Sequence, residues 1–200
     1  WGFHDDVLRP GPRPSAAALE PWRAAAPSLS QLRLDGLRLR TDNPRLQLDF
    51  GGYAKGVAAD RALDRLAARG VRAAVVDLGG NLAAMGDAGG RPWRIGLRDP
   101  GAPGLIAQLA VSGREAVITS GTYERFRLLD GERASHVIDP ARGVPAAALV
   151  SVTVVHRDAG LADAAATALL VAGVRLWPAV AQRLGVSQVL VVDRHLEASA

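Results

Sequence analysis

The chain has 200 residues, 48% of them hydrophobic, and a formal net charge of +4. This composition excludes a disordered chain and favours one domain with a full core, and the absence of cysteine excludes disulfides, a thiolate nucleophile and a Cys-ligated metal. Lys55 is the one lysine among 24 basic residues, and the arginines are scattered without a basic run. We therefore expect no nucleic-acid partner. No apolar run reaches about 18 residues, so no membrane-spanning helix is predicted.

The first part of the chain predicts short elements separated by turns. Ser15 is placed to cap a helix that runs to about Ala26 and is stopped by Pro27. Leucines alternate with polar residues over 31–50, which predicts a small antiparallel meander.

A longer helix and a series of strands follow. An apolar stripe at i, i+3, i+4 and i+7 predicts a helix from Gly51-Gly52 to about Arg69, ended by Gly70. Predicted strands lie at 73–78, 93–97, 106–111, 116–119, 123–128, 134–138, 150–155 and 189–192, with two helices near 162–171 and 176–184. Runs of strands with inserted helices favour an α+β fold with a largely antiparallel sheet over a doubly wound βαβ fold.

The first candidate site is the turn into the predicted second helix. Asp49 ends a strand, Gly51-Gly52 turn the chain, and Lys55 lies in the first helical turn. Glycines permit close backbone approach, and a helix start offers free N–H groups to an anion. Lys55 can add a point charge for a phosphate. The spacing is not that of a Walker loop, and a glycine-rich turn with a solvated lysine is the alternative interpretation.

The second candidate is Asp163 with Thr167, which share one face of a helix because they are four residues apart. Both offer oxygen atoms, which a hard cation such as Mg²⁺ prefers. The alternative is an aspartate that stabilises a helix N-terminus and a threonine that belongs to the core.

Two further segments carry reactive side chains. In a strand over 134–138, His136 and Ile138 point to one face, and a histidine there can transfer a proton near neutral pH. A purely structural histidine is the alternative. Residues 118–123 form a hydroxyl-rich turn, but no neighbouring histidine or aspartate spacing marks it as a nucleophile loop.

The order of several motifs is more specific than any one of them. They are Asp49-Phe-Gly-Gly-Tyr-Ala-Lys-Gly, Asp77-Leu-Gly-Gly-Asn, Pro92-Trp93 with Asp99-Pro100, Thr119-Ser120-Gly121 with Tyr123-Glu124-Arg125, Ser135-His136-Val-Ile-Asp139-Pro140 with Gly143, and Ala162-Asp163 with Thr167-Ala168. This series, over roughly residues 45–175, resembles the FAD:protein FMN transferase (ApbE) family. The resemblance implies an α+β, ApbE-like (T-fold-like) domain over 1–200 that lacks its N-terminal portion.

The resemblance also implies a reaction and a set of site residues. The reaction is Mg²⁺-dependent transfer of FMN from FAD to a threonine or serine hydroxyl of an acceptor flavoprotein, with release of AMP. The implied residues are Asp49, Lys55, His136 and Ile138 for FAD, and the Gly52 carbonyl, Asp163 and Thr167 for Mg²⁺. His136 is the expected proton acceptor and Asp49 its rival. Ala166 stands where some members have an acidic residue.

Other functions are kept as hypotheses beside the transferase. They are an FAD-binding assembly factor that transfers nothing, an FAD pyrophosphatase, and a structural fragment that packs against a missing part. The resemblance further implies an exported protein, at the periplasm or the outer face of the membrane, and places any membrane anchor before Trp1. The acceptor protein cannot be named from the sequence.

Overall fold

The computed structural model describes residues 1–3, 7–195 and 198–199. The helices are α1 (Ala16–Ala25), α2 (Ala54–Ala67) and α3 (Ala159–Leu184), with a 3₁₀ turn at Leu29–Gln31. The strands are β1 (Arg33–Asp35), β2 (Arg38–Arg40), β3 (Ala74–Leu78), β4 (Asn81–Met85), β5 (Trp93–Arg98), β6 (Leu105–Val111), β7 (Glu115–Gly121), β8 (Phe126–Leu129), β9 (Glu132–Ser135), β10 (Ile138–Asp139), β11 (Val144–Pro145), β12 (Leu149–His156), β13 (Gln188–Asp193) and β14 (Ala198–Ser199).

A six-stranded sheet forms the centre of the fold, in the order β14-β13-β12-β7-β4-β3. The pairings between neighbouring strands of this sheet are antiparallel. Within the described residues, four two-stranded ladders, β1–β2, β5–β6, β8–β9 and β10–β11, lie outside it. This arrangement confirms the predicted α+β fold with a largely antiparallel sheet.

The central sheet is covered on both faces. Helices α2 and α3 pack on one face, where Leu63, Ile118 and Leu169 are completely buried. Each such side chain contributes about 1.5–3 kcal/mol by leaving water. The β5–β6 hairpin covers the other face through a smaller cluster that includes Ile95 and Val117. The fold therefore has three layers: helices, sheet and hairpin.

The close crossing of α2 and α3 determines where the second candidate site lies. A Cβ built on Gly56 would lie 2.1 Å from the carbonyl oxygen of Ala159, so only glycine permits this approach. Two carboxylates hold the start of α3: Asp158 Oδ1 accepts from Leu161 N at 2.8 Å, and Asp60 Oδ2 accepts from Ala159 N at 2.7 Å. These bonds satisfy amides that a helix start leaves free.

The two helices predicted near 162–171 and 176–184 form one element, α3. Its geometry is interrupted at Gly173, with φ 69° and ψ −178°, which separates the two parts. By length and composition α3 could cross a membrane, with a mean hydropathy of 1.6 in its most apolar window. Its buried residues pack against the central sheet, which is typical of the core helix of a globular domain.

Three of the predicted elements are wrong in part. The strand predicted over 123–128 begins only at Phe126, after bends at 122–125. The meander over 31–50 ends after the β1–β2 hairpin, and residues 41–50, all of them described, form turns and irregular chain. The Asn43 side chain causes this, because it accepts from Arg45 N at 3.0 Å and donates to Ala25 O at 2.8 Å. The strand predicted over 134–138 is also broken, because Ser135 Oγ accepts from Val137 N at 3.1 Å and turns the chain between β9 and β10.

Strand β4 was not among the predicted elements. It follows β3 directly through Gly79 and Gly80, whose φ angles are 66° and 86°, and Leu78 pairs with Asn81. Two consecutive residues with positive φ are the requirement of the tight hairpin turn of type I′. The Gly-Gly pair between two apolar runs was the signal that could have identified β4.

Candidate functional site

Asp163 lies in the second turn of α3 and is only 2% exposed. Its Oδ2 accepts a hydrogen bond from Gly56 N, 3.0 Å away, at the point where α2 crosses α3. Among the described residues it forms no ion pair. A buried carboxylate without a cationic partner is costly unless something else compensates its charge, so Asp163 is a candidate ligand for a cation.

Thr167 and Gly52 lie beside Asp163. Thr167 follows Asp163 by one turn and donates its hydroxyl to the Asp163 carbonyl oxygen at 3.3 Å. A Cβ built on Gly52 would lie 2.8 Å from Thr167 Oγ1, so the backbone before α2 comes close to this hydroxyl because residue 52 is glycine. The fold therefore brings together the three residues that the resemblance assigns to Mg²⁺.

These residues fit a magnesium ion by the chemistry of their donors. A carboxylate, a hydroxyl and a nearby backbone carbonyl are all oxygen donors, which Mg²⁺ prefers. No cluster of three or more His, Cys, Asp or Glu side chains with metal-binding geometry occurs within the described ranges. One carboxylate suits Mg²⁺, which commonly keeps several waters and takes phosphate oxygens from its substrate.

Asp49 and Lys55 lie close enough to His136 for their charges to act on its ring. Asp49 is exposed and its Oδ1 accepts from Gly51 N at 2.6 Å, while Lys55 is exposed in the first turn of α2. Both charges act on the His136 ring. The structure therefore places the predicted FAD contacts Asp49 and Lys55 within electrostatic range of the predicted proton acceptor.

His136 is half-buried, and its Nδ1 lies 2.9 Å from the Arg125 carbonyl oxygen. Burial lowers its pKa below the usual histidine range, and the positive charges of Arg125 and Lys55 lower it further. The bond to the Arg125 carbonyl and the charge of Asp49 oppose this effect. At neutral pH the ring is therefore in the uncharged form that can accept a proton.

Ile138 begins the short strand β10, after the bend that follows β9. It pairs with Pro145 in the β10–β11 ladder and is half-buried, two residues after His136. Because the chain bends between β9 and β10, His136 and Ile138 do not lie on one strand as predicted.

Ser120 belongs to the site, although the sequence placed it in a hydroxyl-rich turn without a role. The segment is in fact the end of β7, and Ser120 Oγ lies 3.0 Å from Thr167 Oγ1. Alternation along β7 puts Ser120 on the helix-facing side with Ile118. Had the predicted strand been extended to Gly121, its alternating faces would have placed Ser120 on the same side as the apolar Ile118.

A separate cavity of about 350 Å³ lies on the opposite face of the sheet, beneath the β5–β6 hairpin. Thr119, Thr153 and Tyr123 line it, and none of the predicted site residues does. The two threonine hydroxyls are 2.8 Å apart. Burial raises the pKa of the Tyr123 phenol, and the negative charge of Glu124 raises it further.

Comparisons with known proteins identify the same family that the motif order indicated. The chain matches the model of the ApbE family over residues 1–191. It is 44% identical over 190 residues to an FAD:protein FMN transferase of Rhodobacter capsulatus (95% of this chain, 36% of that protein), and 40% identical over 168 residues to one of Treponema pallidum (78% and 46%).

Solved structures show the same fold. The ApbE protein of Thermotoga maritima superposes with a TM-score of 0.85 at 31% identity, over 94% of this chain and 62% of that one. The flavinyl transferase ApbE of Pseudomonas stutzeri gives 0.77 at 36% identity, over 93% and 58%. The chain thus spans less than two thirds of the length of these proteins. These matches confirm the resemblance that the motifs indicated.

Proposed function

This chain belongs to the ApbE family, and on that premise we propose that the complete protein is an FAD:protein FMN transferase. It transfers the FMN half of FAD to a threonine or serine hydroxyl of an acceptor flavoprotein, with Mg²⁺ as cofactor and AMP as the second product. The observation that supports this best is the buried Asp163 carboxylate, which lies beside Thr167 and Gly52 and lacks a cationic partner in the described structure.

The reaction exchanges the phosphoanhydride bond of FAD for a phosphoester bond to the acceptor. The acceptor hydroxyl oxygen forms a bond to the phosphorus of the FMN half, and the bond from that phosphorus to the bridging oxygen breaks. The bridging oxygen leaves with AMP, and the hydroxyl proton leaves to a base. When bound, Mg²⁺ neutralises charge on the phosphoryl oxygens during this exchange. Asp163, Thr167 and the Gly52 carbonyl are the groups that would hold it.

The other residues of the site bind the nucleotide and move the proton. The ammonium of Lys55, in the first turn of α2, attracts the phosphates of FAD. The uncharged ring of His136 accepts the hydroxyl proton, and the nearby Asp49 carboxylate stabilises the imidazolium that results. Asp49 is the alternative base. These roles follow from the positions and charges described above together with the family resemblance.

The proposal is tested with the complete protein, FAD, Mg²⁺ and an acceptor domain that a known transferase already modifies. We expect the acceptor to gain the mass of FMN less one water, and AMP to appear in equal amount. An unchanged acceptor mass contradicts the proposal.

The same assay separates the alternative functions. Release of AMP and FMN without acceptor modification indicates an FAD pyrophosphatase. Binding of FAD with neither product indicates an assembly factor, and no FAD binding by the complete protein indicates a structural role.

The rate of FMN transfer is expected to fall in acid, with a midpoint below the usual histidine pKa of about 6.5, because burial lowers the pKa of His136. His136→Gln should remove this acid limb and slow transfer by about 10²–10⁴-fold. The measurement is a pH–rate profile of both proteins, with the exposed His195→Gln as control. An unchanged limb in His136→Gln would assign the titration to another group.

The same shift has a consequence for stability. Because the pKa of His136 is lower in the folded state, the unfolded chain binds more protons in acid. The contribution of His136 to the free energy of unfolding is therefore complete above about pH 6.5 and is lost as the pH falls towards the folded pKa. Urea unfolding at several pH values should show a weaker loss of stability in acid for His136→Gln than for the wild type.

A further inference from the structure

Asn81, the first residue of β4, has a buried amide nitrogen without a partner. The residue is 2% exposed. Nδ2 is the one buried side-chain nitrogen or oxygen atom in the described part of the chain that makes no hydrogen bond. A buried donor that loses its hydrogen bonds to water and gains none in the fold destabilises the protein. Such groups are rare in native structures and require an explanation.

The side chain of Asn81 lies on the helix-facing side of the central sheet. Alternate residues of a strand point to opposite faces. Along β4, Ala83 and Met85 belong to the core beneath α2 and α3, whereas Leu82 and Ala84 pack towards the β5–β6 hairpin. Asn81 shares the alternation of Ala83 and Met85, so it faces the two helices that carry the candidate site.

The pairing of β4 with β7 places Asn81 next to the site. Continued by one residue, the register sets Asn81 beside Ile118, and Ser120 is the next residue of β7 on the same face. Diagonal neighbours of this kind are about 7–8 Å apart. Ser120 Oγ in turn lies 3.0 Å from Thr167 Oγ1. Asn81 therefore lies at the border of the site formed by Thr167, Gly52 and Asp163.

We propose that the Asn81 amide donates a hydrogen bond to a phosphoryl oxygen of the flavin nucleotide. This inference rests on the proposed function, which brings a pyrophosphate to the same place. The amide nitrogen only donates and phosphoryl oxygens only accept, so the two are complementary. A hydrogen bond to a charged oxygen is stronger than one between neutral groups. The ligand thus supplies the partner that the fold does not.

The test is Asn81→Ala in the complete protein with Mg²⁺, titrated with FAD and with riboflavin, which has no phosphate. We expect the Kd for FAD to rise about tenfold and the Kd for riboflavin to stay within about twofold of the wild type. Without ligand, the Tm of Asn81→Ala should lie no more than about 2 °C below that of the wild type. The reason is that the Asn81 amide nitrogen makes no hydrogen bond that the substitution could remove.

Asn43→Ala is the matched control, since Asn43 is the one other asparagine. Its side chain is bonded to Ala25 O at 2.8 Å, Gln31 Oε1 at 2.9 Å and Arg45 N at 3.0 Å. Asn43→Ala should therefore lower the ligand-free Tm without changing FAD affinity, which is the opposite pattern.

Three results overturn the inference. They are a ligand-free Tm for Asn81→Ala that falls as far as that of Asn43→Ala, an unchanged FAD affinity, and an equal weakening for FAD and riboflavin. Failure of the wild-type protein to bind FAD would instead overturn the proposed function and the inference with it. If the wild type binds FAD and modifies an acceptor while Asn81→Ala behaves identically, the inference alone fails.

Discussion

In the complete protein, under the proposed function, replacement of Asp163 by asparagine is expected to lower the Mg²⁺-dependent rate of FMN transfer by about 100-fold or more, equivalent to ~3 kcal/mol of transition-state stabilisation. The amide has the shape of the carboxylate and can still accept from Gly56 N, a bond 3.0 Å long in the structure. It removes the negative charge that the site offers to a cation. The change therefore separates metal binding from the packing of α2 on α3.

The measurement is acceptor flavinylation as a function of Mg²⁺ concentration, together with the Mg²⁺ dissociation constant from calorimetry. Asp158→Asn, five residues earlier, is the matched control, because asparagine caps a helix as well as aspartate does and Asp158 serves as the N-cap of α3. The control should keep wild-type activity. An Asp163→Asn enzyme with normal Mg²⁺ dependence would remove Asp163 from the metal site.

Replacement of Gly56 by alanine is expected to destabilise the protein by about 3 kcal/mol or more. A Cβ there would lie 2.1 Å from Ala159 O and 2.9 Å from Gly160 N, both backbone atoms. A flexible side chain could move aside, but a helix backbone cannot do so without separating α2 from α3, so the cost lies at or above the upper part of the usual range for overpacking. The same separation lengthens the bond from Gly56 N to Asp163 and should weaken Mg²⁺ binding.

Urea unfolding followed by tryptophan fluorescence measures the effect. Gly11→Ala is the control, because a Cβ at Gly11 meets only the Arg127 side chain at 3.7 Å, an ordinary contact. It should change the unfolding free energy by less than about 0.5 kcal/mol. Equal stability of Gly56→Ala and Gly11→Ala would show that the two helices do not cross as closely as described.

The elements that the sequence predicted well are those whose signals are local. The cap at Ser15, the apolar stripe of α2 and the β-branched run of β12 each depend on residues a few positions apart, and each element formed where expected. Errors arose where a side chain redirected the backbone. Asn43 ended the meander, and Ser135 turned the chain before His136, and neither effect is visible in a periodic pattern.

For the candidate site, the sequence alone determined the donor types, the spacing of Asp163 and Thr167 on one helical face, and the motif order that identifies the family. Only the tertiary structure decided that Gly52 and Ser120 reach Thr167, that Gly56 bonds to Asp163, and that Asn81 is buried without a partner. The physical reason is sequence separation. Residues 52–56, 81, 120 and 163–167 meet only because two helices cross at a glycine on the same face of one sheet, and no local pattern records that contact.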